Sequence, residues 1–223
     1  EIHNHKDVDE DYPYPETYND HYNETKMLAE KAVLEYNGED GLKTVVIRPS
    51  NVWGAGDTVV LARVAAAAVK GVLINIGKND KIVSPCNIHN LVHGTMLAAK
   101  SEKAQGGIYF INDGGELDNK AFVKDQLNSS GIEWEPKLTI PYKFGYAIAY
   151  ILELLFKLIG SKKPPVLTRF AISALSGSRT YSVSKAKDQL GYKPVISYEE
   201  GMSELKNWVD EIGGYKELRK FAK

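Results

Sequence analysis

The 223 residues are 43% hydrophobic and 26% charged, enough apolar side chain to bury a sizeable core as one large domain or two small ones. A net charge of -1 leaves no clustered cationic excess for neutralising phosphates, which argues against a nucleic-acid binder. With Cys86 the only cysteine, no disulfide can form within the chain, in keeping with a reducing, cytoplasmic compartment.

Residues 1–21 carry seven acids and almost no apolar periodicity, so they read as a solvated acidic loop. Within it Asp11-Tyr12-Pro13-Tyr14-Pro15 is extended at best, because each proline biases its predecessor away from the helical region. His3, His5 and His21 lie near acids, but no helical or hairpin spacing holds them, so no metal site is expected.

Tyr22 and Lys26 open a helical stretch four residues apart and project from one face. The ammonium favours the phenolate and lowers the tyrosine's pKa, so that Tyr22 can exchange a proton with a carbonyl oxygen near neutral pH. The spacing recurs at Tyr181 and Lys185, and context separates the two pairs. After Tyr22 a run of good helix formers puts Met27, Leu28 and Leu34 near one stripe, and Gly38 and Gly41 stop the helix. Thr44-Val45-Val46-Ile47 then reads as a strand covered on both faces. Tyr181 has no such setting: Ser184 resembles the N-cap of a short helix through Leu190, Gly191 ends it, and Lys185 reads as a solvated first-turn side chain.

Pro49 closes the strand, and the loop from Ser50 to Asp57 is where a ligand is expected, since small molecules bind beyond the carboxyl ends of parallel strands. Asp57 is a plausible N-cap for a helix over 58–66. Beyond it, 72–76 predicts a short strand, 90–100 a helix, 107–111 a buried strand and 117–127 an amphipathic helix, so the chain reads as α/β. Cys86 reads as a partly buried, inert thiol, and His89 and His93, lacking a third ligand, as packed or capping histidines.

From Pro141 to Gly160 the chain is apolar almost all round, yet too short and too charged for a membrane span. A lid over an apolar pocket, a helix lying in a membrane interface with Lys143, Lys157, Lys162 and Lys163 reaching for head groups, and a simply buried core helix all stay open. Peripheral membrane contact through 142–160 is therefore one expected partner besides a small-molecule substrate.

Tyr22-Asn23-Glu24-Thr25-Lys26, the following strand and Arg48-Pro49-Ser50-Asn51-Val52-Trp53-Gly54-Ala55-Gly56-Asp57 resemble the active-site helix and loop of extended short-chain dehydrogenases/reductases. Ile140-Pro141-Tyr142, the apolar helix, Pro164-Pro165-Val166-Leu167-Thr168-Arg169-Phe170 and the stretch from Tyr181 to Pro194 are similar to the branch holding 3β-hydroxysteroid and sterol-4-carboxylate dehydrogenases. The likeness covers nearly the whole chain.

The resemblance implies the C-terminal part of a Rossmann-like doubly wound parallel sheet plus a smaller, mostly helical substrate domain. Residues 1–57 would be the remainder of the dinucleotide-binding domain, and 58–223 a substrate-binding region interleaved with the last Rossmann elements. It also implies an enzyme using NAD or NADP to oxidise a secondary alcohol of a 3β-hydroxysteroid or sterol-like substrate. Tyr22 would be the acid/base, and Lys26 would lower its pKa and hydrogen-bond the nicotinamide ribose. Pro49, Ser50 and Val52 would line the nicotinamide end, Asn51 would face substrate or cofactor, and a homodimer is open.

The family's glycine-rich opening turn, which lets the backbone approach the pyrophosphate, has no counterpart here, since Gly106-Gly107, Gly114-Gly115 and Gly213-Gly214 lie in the wrong places. The family's catalytic serine or threonine should also precede Glu1. The expectation is a C-terminal piece of a longer enzyme that by itself binds cofactor poorly. Two alternatives stand beside it: a nucleotide-sugar epimerase or dehydratase, with Arg169 or Arg179 clamping phosphates, and a scaffold keeping a degenerate dehydrogenase fold without turnover.

Overall fold

Parallel strands joined by helices run through the whole chain. A computed structural model describes residues 5–18, 21–77, 81–136, 138–161, 165, 167–174 and 176–222. In chain order the elements are β1 (His5–Val8), α1 (His21–Glu35), β2 (Val46–Pro49), β3 (Asn51–Trp53), α2 (Val60–Val69), β4 (Asn75–Ile76), β5 (Ile82–Val83), β6 (Pro85–Asn87), α3 (Ile88–Lys100), β7 (Ile108–Ile111), β8 (Leu117–Asp118), α4 (Asn119–Ser129), β9 (Thr139–Ile140), α5 (Tyr142–Leu158), α6 (Arg169–Ala174), β10 (Arg179–Tyr181), α7 (Ser184–Leu190), α8 (Tyr198–Glu211) and α9 (Tyr215–Leu218).

Strand β2 lies parallel to β7, with Val46 opposite Ile108 and Pro49 opposite Ile111. Strands β3 and β6 are likewise parallel, as are β4 and β9. A four-stranded sheet in the order β1-β10-β5-β8 is parallel except for the β5–β8 pair. Parallel pairs need crossovers of a dozen or more residues, and here helices supply most of them, which gives the expected α/β class.

The largest core packs Leu61 and Ala65 of α2, Leu127 of α4, Leu205 and Val209 of α8 and Leu218 of α9. A second joins Tyr109 and Ile111 of β7 to Ala98 of α3 and Ala186 of α7. Gly94 of α3 allows that approach, because a Cβ there would lie 2.7 Å from Ile111. Cys86, expected to be partly buried, sits in this core fully buried, its thiol pushed up to about 12 by burial and the Asp113 carboxylate.

Several expectations are corrected. The acidic N-terminal stretch is not all solvated loop: β1 pairs with β10, and Glu10 is buried, its carboxylate accepting the Phe110 N–H at 2.7 Å. This strand is short and half exposed, so it shows no apolar alternation. The strand expected to be covered on both faces, β2, is only half-buried, because β7 is its sole described neighbour and α1 lies on one face. The loop expected from Ser50 to Asp57 contains β3. Helix α2 begins at Val60, and Asp57 caps it from outside by accepting the amides of Val59, Val60 and Leu61 at 2.8–3.0 Å. Of residues 72–76, only Asn75–Ile76 is strand.

The N-cap of α7 is Val183 rather than Ser184, and Ser182 Oγ accepts the Ser184 amide; Gly191 ends the helix in a left-handed conformation as expected. Lys185 is half-buried rather than solvated, with Nζ 5.2 Å from the Tyr109 ring centre. Of the three readings open for α5, the structure removes the buried core helix. The helix buries only Gly145 and Ala149, and Phe144, Ile151, Leu154, Leu155 and Leu158 face solvent. No described helix is long and apolar enough to cross a membrane.

Candidate active site

Helix α1 carries Tyr22 in its first turn and Lys26 one turn on, both exposed. The Lys26 ammonium lies 5.6 Å from the centre of the Tyr22 ring, so the expected pair is brought together. Thr25 Oγ1 donates to the Tyr22 carbonyl, which ties down the exposed first turn.

A chain reversal after α1 returns through β2 to residues 49–52, at the carboxyl end of that strand. Pro49 and Asn51 are exposed, Val52 is 37% exposed and Ser50 is half-buried. Backbone groups here are partly committed: the Ser50 amide donates to the Ile111 carbonyl at 3.3 Å and the Asn51 amide to the Ser84 carbonyl at 3.4 Å. The Ser50 hydroxyl is buried and has no hydrogen-bond partner among the described residues. A buried hydroxyl in that condition is costly, and it is a group that a polar ligand could satisfy. No hydrogen bond or ion pair joins Tyr22 or Lys26 to residues 49–52 among the described residues.

What holds α1 to β2 is a polar cluster. Arg48 Nε and Nη2 donate to the two Glu30 carboxylate oxygens at 2.9 and 2.5 Å, Nη1 donates to the Glu10 carbonyl at 3.2 Å, and the Tyr14 hydroxyl also donates to Glu30. The guanidinium lies 5.5 Å from both the Tyr14 and Phe110 ring centres, and Phe110 stacks on Tyr181 at 4.7 Å. Burial raises the Glu30 carboxyl, but the bonds from Arg48 and Tyr14 and the Arg48 charge outweigh it and hold the group below the usual carboxylate range. Sequence reasoning assigned no role to Glu30 or Arg48. The signal was a cation inside an otherwise apolar strand, which requires a buried partner.

A second polar knot fixes the far side of β3. The Asp113 carboxylate accepts from Trp53 Nε1 at 2.9 Å, the Asn87 amide at 2.7 Å and Asn90 Nδ2 at 2.7 Å. Burial pushes Asp113 upward despite these three bonds. Trp53 is thereby locked against Phe122 and Tyr198, and Gly201 of α8 leaves room for its ring, since a Cβ there would come within 2.7 Å.

The remaining candidates are placed elsewhere. His5 packs edge-on against Tyr12, His21 lies 3.5 Å from Glu24, His89 Nε2 is 2.8 Å from Glu204, and His93 packs near Tyr192. His3, Lys162 and Lys163 lie outside the described residues. Arg169 is committed to Glu153, with Nε 2.6 Å from Oε2, and Arg179 Nη2 donates to the Ser173 carbonyl at 2.7 Å.

Comparison with known proteins bears on this geometry. A model of the 3-beta hydroxysteroid dehydrogenase/isomerase family matches residues 2–142. The chain is 35% identical to the 3beta-hydroxysteroid-dehydrogenase/decarboxylase isoform 1 of Arabidopsis thaliana over 226 residues, which takes in 96% of this chain and 51% of that protein. It is 34% identical to a 3 beta-hydroxysteroid dehydrogenase/Delta 5-->4-isomerase of Mycobacterium tuberculosis, over 88% of this chain and 54% of that protein. The chain thus spans about half the length of the curated relatives it matches. Among solved structures it superposes on an epimerase of Methanothermobacter thermautotrophicus with a TM-score of 0.66 at 18% identity, covering 94% of this chain and 56% of that one, a likeness of fold.

Proposed function

The chain belongs to the 3-beta hydroxysteroid dehydrogenase/isomerase family, and from that premise we propose that it is the catalytic-helix part of an oxidoreductase that oxidises the secondary alcohol of a 3β-hydroxysteroid or sterol-like substrate. One observation carries the proposal: an exposed phenol with an ammonium 5.6 Å from its ring centre, on a helix leading into a parallel strand of this family. Residues 1–57 would contribute to dinucleotide binding and 58–223 chiefly to the substrate region.

In this reading Tyr22 accepts the proton of the substrate hydroxyl. Lys26 stabilises the phenolate by its charge and donates to a ribose hydroxyl of the cofactor. Pro49, Ser50 and Val52 would hold the nicotinamide end, where the partnerless Ser50 hydroxyl could offer a polar ligand a donor and an acceptor, and Asn51 would face the substrate. A bound NAD or NADP supplies the hydride acceptor.

We extend the proposal to α5 as a surface for an apolar partner. Its solvent-facing residues Phe144, Ile151, Leu154, Leu155 and Leu158 fall on one arc, and Lys143 and Lys157 lie along one border of it, the arrangement of a helix resting in a bilayer interface. Flotation with anionic liposomes tests this, and failure to float assigns the helix to a lid over the substrate instead.

A nucleotide-sugar substrate is less well supported, because Arg169 is already paired with Glu153 and Arg179 with a backbone carbonyl. The deciding assay gives the protein expressed from its complete reading frame NAD and a 3β-hydroxysteroid. NADH should form, whereas turnover of nucleotide sugars with silence on steroids would overturn the substrate assignment.

A further inference from the structure

Tyr22, Lys26 and Glu30 recur every four residues along one face of α1. Oppositely charged side chains four apart on an exposed helix ordinarily pair with each other, so Glu30 is the natural partner of Lys26. That pairing would draw the ammonium away from Tyr22 and spend its charge on a carboxylate.

The structure holds the two apart. Both oxygens of Glu30 are taken by the Arg48 fork, and the Tyr14 hydroxyl adds a third donor. The two side chains are largely buried, at 18% exposure for Arg48 and 11% for Glu30. Arg48 is itself fixed between the Tyr14 and Phe110 rings and by the Glu10 carbonyl. Lys26 meanwhile forms no ion pair among the described residues and stays over the Tyr22 ring. The other charges around this face are engaged too: Glu24 with His21, and Lys31 over the Tyr14 ring at 5.0 Å. Glu10 turns its carboxylate to the Phe110 amide.

We propose that Arg48 is a positioning residue that sequesters Glu30, so that the Lys26 charge is reserved for Tyr22. The inference rests on the catalytic reading of Tyr22 and Lys26 given above. A guanidinium suits the task because its planar fork saturates both carboxylate oxygens at once, which a lysine at position 48 would do less completely. The device also explains why a cation occupies the middle of a strand that otherwise reads as apolar.

The test is the pH dependence of kcat/KM in the protein expressed from its complete reading frame. Arg48→Met should move the acidic limb to higher pH by roughly half a unit to one unit, because the freed Glu30 turns to Lys26 and the phenolate loses support. Glu30→Gln should leave the limb in place, and the double variant Arg48→Met/Glu30→Gln should return it to the wild-type position. Arg48→Lys should shift it by less than Arg48→Met does. If Arg48→Met does not fold, Tyr14→Phe, which removes one of the three donors, must shift the limb in the same direction by a smaller step. A merely structural pair predicts that Arg48→Met and Glu30→Gln behave alike, and equal shifts, or no shift in either, would overturn the proposal. Full activity in Tyr22→Phe would instead refute the catalytic reading itself, whatever Arg48 does.

Discussion

Helices α1 and α8 are of similar length, and they are held to the molecule by opposite means. Helix α8 buries Leu205 and Val209 in the main core, and its N-terminus is closed by a capping box in which Ser197 and Glu200 satisfy each other's backbone amides. Helix α1 places no apolar side chain fully in a core and is attached through the largely buried Glu30 side chain to Arg48. The contrast teaches that the element carrying the candidate chemistry is oriented by directional, charge-assisted bonds, whereas α8, packed on α4 and α9, is held by non-directional burial. A bidentate pair fixes the rotation of a helix about its axis, which apolar contact alone specifies less sharply. Rotation is what decides whether Tyr22 and Lys26 face the end of β2.

Substitutions can sharpen this comparison. The largest effect is expected in α8: Leu205→Ala should lower stability by about 2–5 kcal/mol in urea denaturation, through lost transfer energy and a cavity. Ser197→Ala should cost about 1 kcal/mol by the same measurement, since it removes the cap that Glu200 reciprocates.

On α1 the expected dependence is on pH. Because Glu30 is held below its usual value near 4.5, its contribution is present above that value and is lost as the pH falls through the lower folded-state value. The stability gap between wild type and Glu30→Gln should therefore be full at neutral pH and shrink as the pH falls below about 4.5, as read by denaturation at pH 7 and pH 3. A gap independent of pH would mean that Glu30 holds α1 by packing. The smallest effect is expected at Leu28, an apolar residue of α1 that is 53% exposed: Leu28→Ala should change the stability of the 223-residue chain by less than about 0.5 kcal/mol. A loss like that of Leu205→Ala would erase the distinction between the two helices.

Much of the fold was legible because its signals are local. The good helix formers after Tyr22, the β-branched run at 44–47, and Gly191 at a helix end each act within a few residues, and each appears close to where the pattern put it. Misreadings arose where distant partners decide the outcome. Strand β1 exists because β10 lies beside it, and nothing in His5-Lys6-Asp7-Val8 alternates. Strand β3 exists because residues 85–87 pair with it across the chain. The Tyr22–Lys26 pairing followed from helical periodicity, whereas Arg48 could be seen only as an unexplained cation until Glu30, Tyr14 and Glu10 converged on it. For helix α5 the sequence left three readings open, and its exposed outer arc removes the buried-core one, because which side of an all-round apolar helix is covered depends on distant neighbours.

The most direct measurement compares wild type with Tyr22→Phe in the protein expressed from its complete reading frame, using NADH formation for turnover and fluorescence titration for cofactor affinity. The account predicts that turnover falls by about 100-fold or more while the cofactor binds almost as before, because only the proton acceptor has been removed. Undiminished turnover in Tyr22→Phe would contradict it.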